Sequence, residues 1–204
     1  MIGGAIMKKY KVKGFTLIEL IVVIAIIGVL AAILVPTMLG YVKKSKRAAD
    51  VANARGIHTD VVDLILENEN ANDSFYDLPS GATIYQKTDA ITGADYDLVL
   101  SAYLDGSARA DGSGNIWTPI DANQKDFCDM LNERSDYKAS DSSIKKRIKY
   151  TSSGGVDYNR WYIGYRKDNN SKVEIWVGDG SSGLGTPQLC LYTQINKSMT
   201  GTDD

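Results

Sequence analysis

Residues 15–35 read F-T-L-I-E-L-I-V-V-I-A-I-I-G-V-L-A-A-I-L-V, apolar on every helical face except for one acid, Glu19. The stretch that begins at Val51 is patterned differently. There Val51, Ala54, Ile57, Val61, Leu64 and Ile65 step by three or four, and Asp50, Arg55, Asp60, Asp63 and Glu67 fall largely between them. The two stretches predict one long helix over residues 15–68, about 80 Å at 1.5 Å per residue. Its first part suits lipid or other helices, and its second part carries an apolar stripe meant for a partner surface. Pro36 has no amide hydrogen to give the carbonyl of Ala32, so a kink or local melting is expected there, helped by Gly28 and Gly40. The tract E-N-E-N-A-N-D, residues 67–73, predicts the helix exit as a turn-rich segment.

Residues 93–104 read as a helix, with Thr92 and Asp95 at capping-box spacing and Tyr96, Val99, Leu100 and Tyr103 on one face. Residues 122–134 read as another, entered through Asp121 with Gln124 three residues on, and burying Phe127, Met130 and Leu131. A Gly/Ser/Asp loop over residues 105–115 separates them. The last third is rich in Ile, Val, Trp and Tyr in short runs at 145–151, 160–166, 172–177 and 188–195, with residues 168–171 as a hairpin loop. These runs predict an antiparallel meander that buries one face, and the stripe on the long helix is the surface able to cover it. The fold class is therefore α+β: a long N-terminal helix packed on a C-terminal antiparallel sheet. No internal repeat is visible.

Composition narrows the function classes. The chain has 204 residues and a formal charge of −2, which becomes −6 if the four lysines Lys8, Lys9, Lys11 and Lys13 are removed with the first fourteen residues. The remaining 190 residues suffice for one globular head and the helix. An acidic chain gives no reason to expect a nucleic-acid partner. Lys43, Lys44, Lys46 and Arg47 follow the apolar run, matching the four lysines before it, so the charge rule for membrane orientation is close to a tie. We orient the N-terminus to the cytoplasm because its lysines lie nearer the apolar run. Met7 opens a compact leader, and residues 1–6 read as an extension or an upstream start.

Glu19 asks for an explanation, because a carboxylate deep in a bilayer costs about 2.5–3.5 kcal/mol on insertion scales and defaults to a functional role. No Lys, Arg or His stands between Phe15 and Val42 to neutralise it. A cut after Gly14 would create an α-amino cation on Phe15, and the amine of one copy could pair with Glu19 of another. A secretory signal peptide would have a basic start and apolar core too, but not an acid in that core, and no clear A-x-A site follows. A plain single-pass anchor would account for residues 15–35 by length and leave Glu19 unused.

The four lysines, then Gly14-Phe15-Thr16-Leu17-Ile18-Glu19, then an apolar helix ending near Pro36, resemble the class III signal of the type IV pilins and pseudopilins over roughly residues 8–54. The resemblance implies a ladle fold, with a cleaved leader (1–14), a transmembrane and filament-core helix with its exit (15–50), and a head (51–204). The head would hold an insertion at about 69–143 and a sheet at about 145–195. It also implies cutting after Gly14 by a membrane prepilin peptidase, methylation of Phe15, subunit docking guided by Glu19, and a helix loosened at Pro36. The partners implied are copies of the chain in a helical filament, the peptidase, the assembly machinery and the membrane before assembly. The expected function is a structural subunit of a surface filament for adhesion or motility, with no cofactor. The alternatives are a pseudopilin of a secretion or DNA-uptake system and, from another class, a membrane-anchored adhesin or DNA-binding module.

Other constellations carry less. His58 is the single histidine, so a His-based triad or multi-histidine metal site is excluded. No G-x-S-x-G or phosphate-cradling loop appears, and no enzyme activity or metal site is expected. Asp105 and Asp111 lack the calcium-loop pattern and fit turn chemistry. The basic run at residues 144–150 reads as a strand with its charged face in water. Trp161, Tyr162, Tyr165, Trp176 and Tyr192 sit at strand spacing and read as core or cross-strand pairs. Cys128 and Cys190, 62 residues apart, suit one disulfide in an exported head or two buried thiols.

Overall fold

The computed structural model describes residues 14–78, 82, 84–89, 91–105, 117–134, 148, 158–180 and 184–193. Contacts divide the chain into two units, Met1–Val42 and Lys43–Asp204. In the first unit the described residues are 14–16 and the start of helix α1, which covers Leu17–Glu67 in all and continues into the second unit. It runs unbroken through Pro36, so the expected melting is absent, and Thr37 Oγ1 donates to Leu34 O at 2.8 Å one turn back.

In the second unit α1 buries Ala54, Ile57, Val61, Leu64 and Ile65, the stripe that the spacing predicts. The exit differs from expectation. Instead of a turn-rich tract, one extended residue, Asn68, ends α1 and caps a second helix, α2 (Glu69–Tyr76), its side chain accepting from Ala71 N at 3.1 Å. Asn72 Nδ2 reaches back to Ile65 O at 3.2 Å, so the polar tract satisfies a carbonyl near the end of the helix it leaves. A 3₁₀ turn, Ala122–Gln124, leads into α3 (Lys125–Glu133) through the expected Asp121–Gln124 capping box.

The sheet comprises β1 (Ile84–Thr88), β2 (Asp95–Asp105), β3 (Thr118–Pro119), β4 (Arg160–Arg166), β5 (Asn169–Asp179) and β6 (Thr186–Tyr192). Its order is β1-β2-β4-β5-β6, antiparallel throughout, with β3 on β2. The turn between β4 and β5 is two residues, Lys167 and Asp168, shorter than the four expected. The predicted strand at 145–151 and the loop at 106–115 lie outside the described residues, save Ile148, which packs on the core.

The predicted helix at 93–104 is corrected to strand β2. The strand lies between β1 and β4 with both faces covered, so Tyr96, Leu98 and Leu100 serve one face while Val99 and Leu104 serve the other. An apolar run on both faces loses its alternation and imitates helical spacing. Thr92 and Asp95 form no helix cap: Asp89 Oδ1 accepts from the amides of Ile91 and Thr92 at 2.9 Å, closing the turn before β2.

Because successive strand residues face opposite sides, the sheet supports two cores. Trp161, Ile163, Tyr165, Ile175 and Val177 join Phe75, Phe127, Cys128, Leu131 and the α1 stripe on one side. Tyr96, Leu98, Leu100, Tyr162, Trp176 and Cys190 cluster on the other. The sheet curls around this second core, since its end strands meet across it: Tyr85 Oη donates to Gly185 O at 3.1 Å, and Lys87 Nζ to Pro187 O. Gly164 permits the curl, because a Cβ there would lie 2.3 Å from Val99 O and against Leu98 and Leu100. Of the two options for the cysteines the structure takes the second: Cys128 and Cys190 are buried and not bridged to each other, one in each core, with the sheet between them.

One charged group sits inside this second layer. Glu174 is wholly buried, its Oε2 accepting from Tyr96 Oη (2.7 Å) and Trp176 Nε1 (2.9 Å), while its Oε1 has no hydrogen-bond partner among the described residues. Arg166 lies 3.8 Å over the Tyr96 ring and donates to Asp89 at 2.7 Å. Burial raises the Glu174 pKa, against the hydrogen bonds of Tyr96 and Trp176 and the charges of Arg166 and Lys172. A carboxyl whose pKa is raised by folding contributes stability below its unfolded value, about 4.3, and that contribution is lost as pH climbs through the folded value. Glu174→Gln is therefore expected to gain on the parent in Tm as pH rises from 4 to 8. Thermal unfolding at both pH values measures this gain, and the change with pH is the readout, because the amide adds its own constant offset.

Candidate site at the start of the apolar helix

The sequence singles out Gly14, Phe15, Glu19 and Pro36, and all four belong to the first unit. Gly14 is exposed, and a Cβ built on it would meet nothing within 4 Å among the described residues. Phe15 is 83% exposed. Thr16 is the last residue before α1, and it and Glu19 bind each other reciprocally. Glu19 Oε2 accepts from Thr16 N at 2.8 Å and from Thr16 Oγ1 at 2.7 Å, and Thr16 Oγ1 accepts from Glu19 N at 3.3 Å.

This is a capping box, in which a threonine before the helix and a glutamate three residues later satisfy amides that the first turn leaves without carbonyl partners. The signature T-x-x-E ahead of an apolar run was readable in the sequence. Reading Glu19 solely as a charge in need of a cation passed over it. The negative carboxylate also lies at the positive end of the helix dipole. A cut after Gly14 would leave the box intact, since Thr16 would become the second residue, with the new amine of Phe15 next to Thr16 and four residues before Glu19.

From Leu20 to Val35 the surface is apolar and open. Large side chains from Leu17 to Val42 are roughly half to three-quarters exposed, and the most apolar window is 0% buried, with a mean hydropathy of 3.2. By length and composition the helix can cross a membrane. Glu19 and Pro36 lie eleven and six residues either side of Leu30, so the structure does not bring them together. Among the described residues no group of three His, Cys, Asp or Glu could hold a metal ion. His58 lies on the second half of α1, edge-on to Tyr192 at 4.6 Å, and burial lowers its pKa. The basic run at 144–150 is outside the described residues apart from Ile148.

Comparison with known proteins points to the same segment. Residues 9–35 match the prokaryotic N-terminal methylation motif. Fimbrial protein Q of Moraxella bovis is 37% identical over 110 residues, covering 51% of this chain and 66% of its own. A type IV major fimbrial protein FimA of Dichelobacter nodosus is 38% identical over 63 residues, 31% of this chain and 40% of its own. A fimbrial protein of the same organism is 42% identical over 57 residues, 28% of this chain and 36% of its own. The chain thus spans about two thirds of the first relative's length and about two fifths of the others'. No solved structure matches.

Proposed function

We propose, from the premise that this chain is a type IV pilin by its N-terminal methylation segment and its α+β fold, that it is the structural subunit of a surface filament. It is made as a single-pass membrane precursor, cut between Gly14 and Phe15 by a prepilin peptidase, and packed by its apolar helix into the filament core. The observation that carries this reading is the apolar surface of α1 from Leu17 to Val42, none of whose most apolar window is buried. Such a surface must be covered, first by acyl chains and then by the same helix of other copies, because a contiguous apolar patch of this size does not persist in water. The Glu19 carboxylate supplies a register mark on an otherwise featureless helix, pairing with the Phe15 amine of a neighbouring copy.

Electron microscopy of cells with and without the gene tests the assignment. Surface fibres are expected to vanish on deletion and return on complementation. Loss of short envelope-spanning assemblies with fibres unchanged would overturn it in favour of a pseudopilin, and no change in either would overturn both.

A further inference from the structure

The lysines just beyond the apolar run carry charge that no described residue pairs with. Lys43, Lys44 and Lys46 are exposed, and none makes an ion pair among the described residues. No acid stands between Glu19 and Asp50, and Arg47, half-buried, turns partly into the head. Three unpaired cations on one helix are usually a solvated face. Their position argues for more. About twenty helical residues cross the roughly 30 Å hydrocarbon layer, so with Phe15 near the inner boundary, Val35 falls near the outer one. Lys43 then lies about 12 Å further out at 1.5 Å per residue, level with the headgroups and within a Debye length of their charge. Tyr41, 75% exposed, stands between them, as aromatics do at membrane interfaces.

Cations on the outer side of a span also oppose the bias that orients membrane proteins. The four leader lysines balance them before cleavage, and cleavage removes that balance, leaving the outer cluster as the only basic flank of the processed helix. We propose that Lys43, Lys44 and Lys46 dock anionic phospholipid headgroups on the outer leaflet and hold the processed chain at the bilayer until it enters a filament. The inference rests on the membrane-spanning reading of residues 15–35. Lysine suits the task, because its long stem lets the ammonium adjust in depth while the helix stays fixed. The interaction is electrostatic and multivalent, so it is released when the helix leaves the bilayer and its counter-charges are left behind.

The test uses the full chain carrying Tyr41→Trp, reconstituted in vesicles of equimolar phosphatidylcholine and phosphatidylglycerol, with one lipid or the other brominated on its acyl chains. Trp117, Trp161 and Trp176 are buried in the head, and the parent chain gives their constant background. Quenching of the introduced indole is expected to report a relative association about fivefold in favour of phosphatidylglycerol at low salt. The preference should fall towards one in about 1 M salt, and also when the three lysines are changed together to glutamine. Strong and equal quenching by both lipids would place the helix in the bilayer and overturn the headgroup site. Absence of quenching by either would overturn the membrane-spanning reading and the headgroup site with it.

Discussion

Gly14→Val is expected to leave the chain uncut, with the full-length precursor dominating the membrane fraction and fibre yield down by about tenfold or more. The bond after Gly14 follows the one residue that offers no side chain to obstruct a protease, in an exposed segment just before the helix. A β-branched side chain there stiffens the backbone and fills the space beside the scissile carbonyl. A tenfold loss in cleavage needs only about 1.4 kcal/mol at the transition state. Intact-mass measurement of the membrane-bound and assembled chain reads the result directly. A processed product beginning at Phe15 in normal amount would remove Gly14 from the recognition step.

Glu19→Gln is expected to leave cleavage largely unchanged and to abolish most fibre formation. The capping box makes this substitution more telling than alanine. Glutamine at the third helical position can still accept from Thr16 N, so helix entry is retained and only the charge is lost. Alanine removes the cap as well, worth about 1 kcal/mol, and makes membrane insertion easier at the same time. Thr16→Val completes the set, since it deletes the hydroxyl that bonds Glu19 and keeps the carboxylate. If charge pairing drives assembly, fibre yield should rank Thr16→Val well above Glu19→Gln, and Glu19→Gln close to Glu19→Ala. Fibres from Glu19→Gln at parental yield, with Thr16→Val defective, would reassign the glutamate to helix entry alone. Sedimentation of sheared fibres, with cleavage checked by mass, supplies both readouts.

The elements legible in the sequence are those with a single buried face or a local chemical signature. The α1 stripe from Ala54 to Ile65 and the Asp121–Gln124 entry to α3 were of this kind, as were the runs that became β4, β5 and β6. Strand β2 was illegible because both its faces are buried, which erases the alternation that distinguishes a strand. The placement of the cysteines was illegible for a related reason. Which side of a sheet a residue faces depends on register, and a bulge such as that between Leu100 and Ala102 changes the face without altering composition. At the candidate site the residues were all visible, but the bond between Thr16 and Glu19 was missed because one striking charge invited a long-range explanation before a local one.

The separation of the two thiols bears on how the head matures. A bridge would have tied its folding to an oxidising compartment and to whatever enzyme forms disulfides there. Cys128 and Cys190 are instead shielded on opposite sides of the sheet, burial pushes the Cys128 thiol up and away from its reactive thiolate form, and no bridge joins them. Its folded form then rests on the collapse of two apolar layers and not on a covalent bond between these two residues.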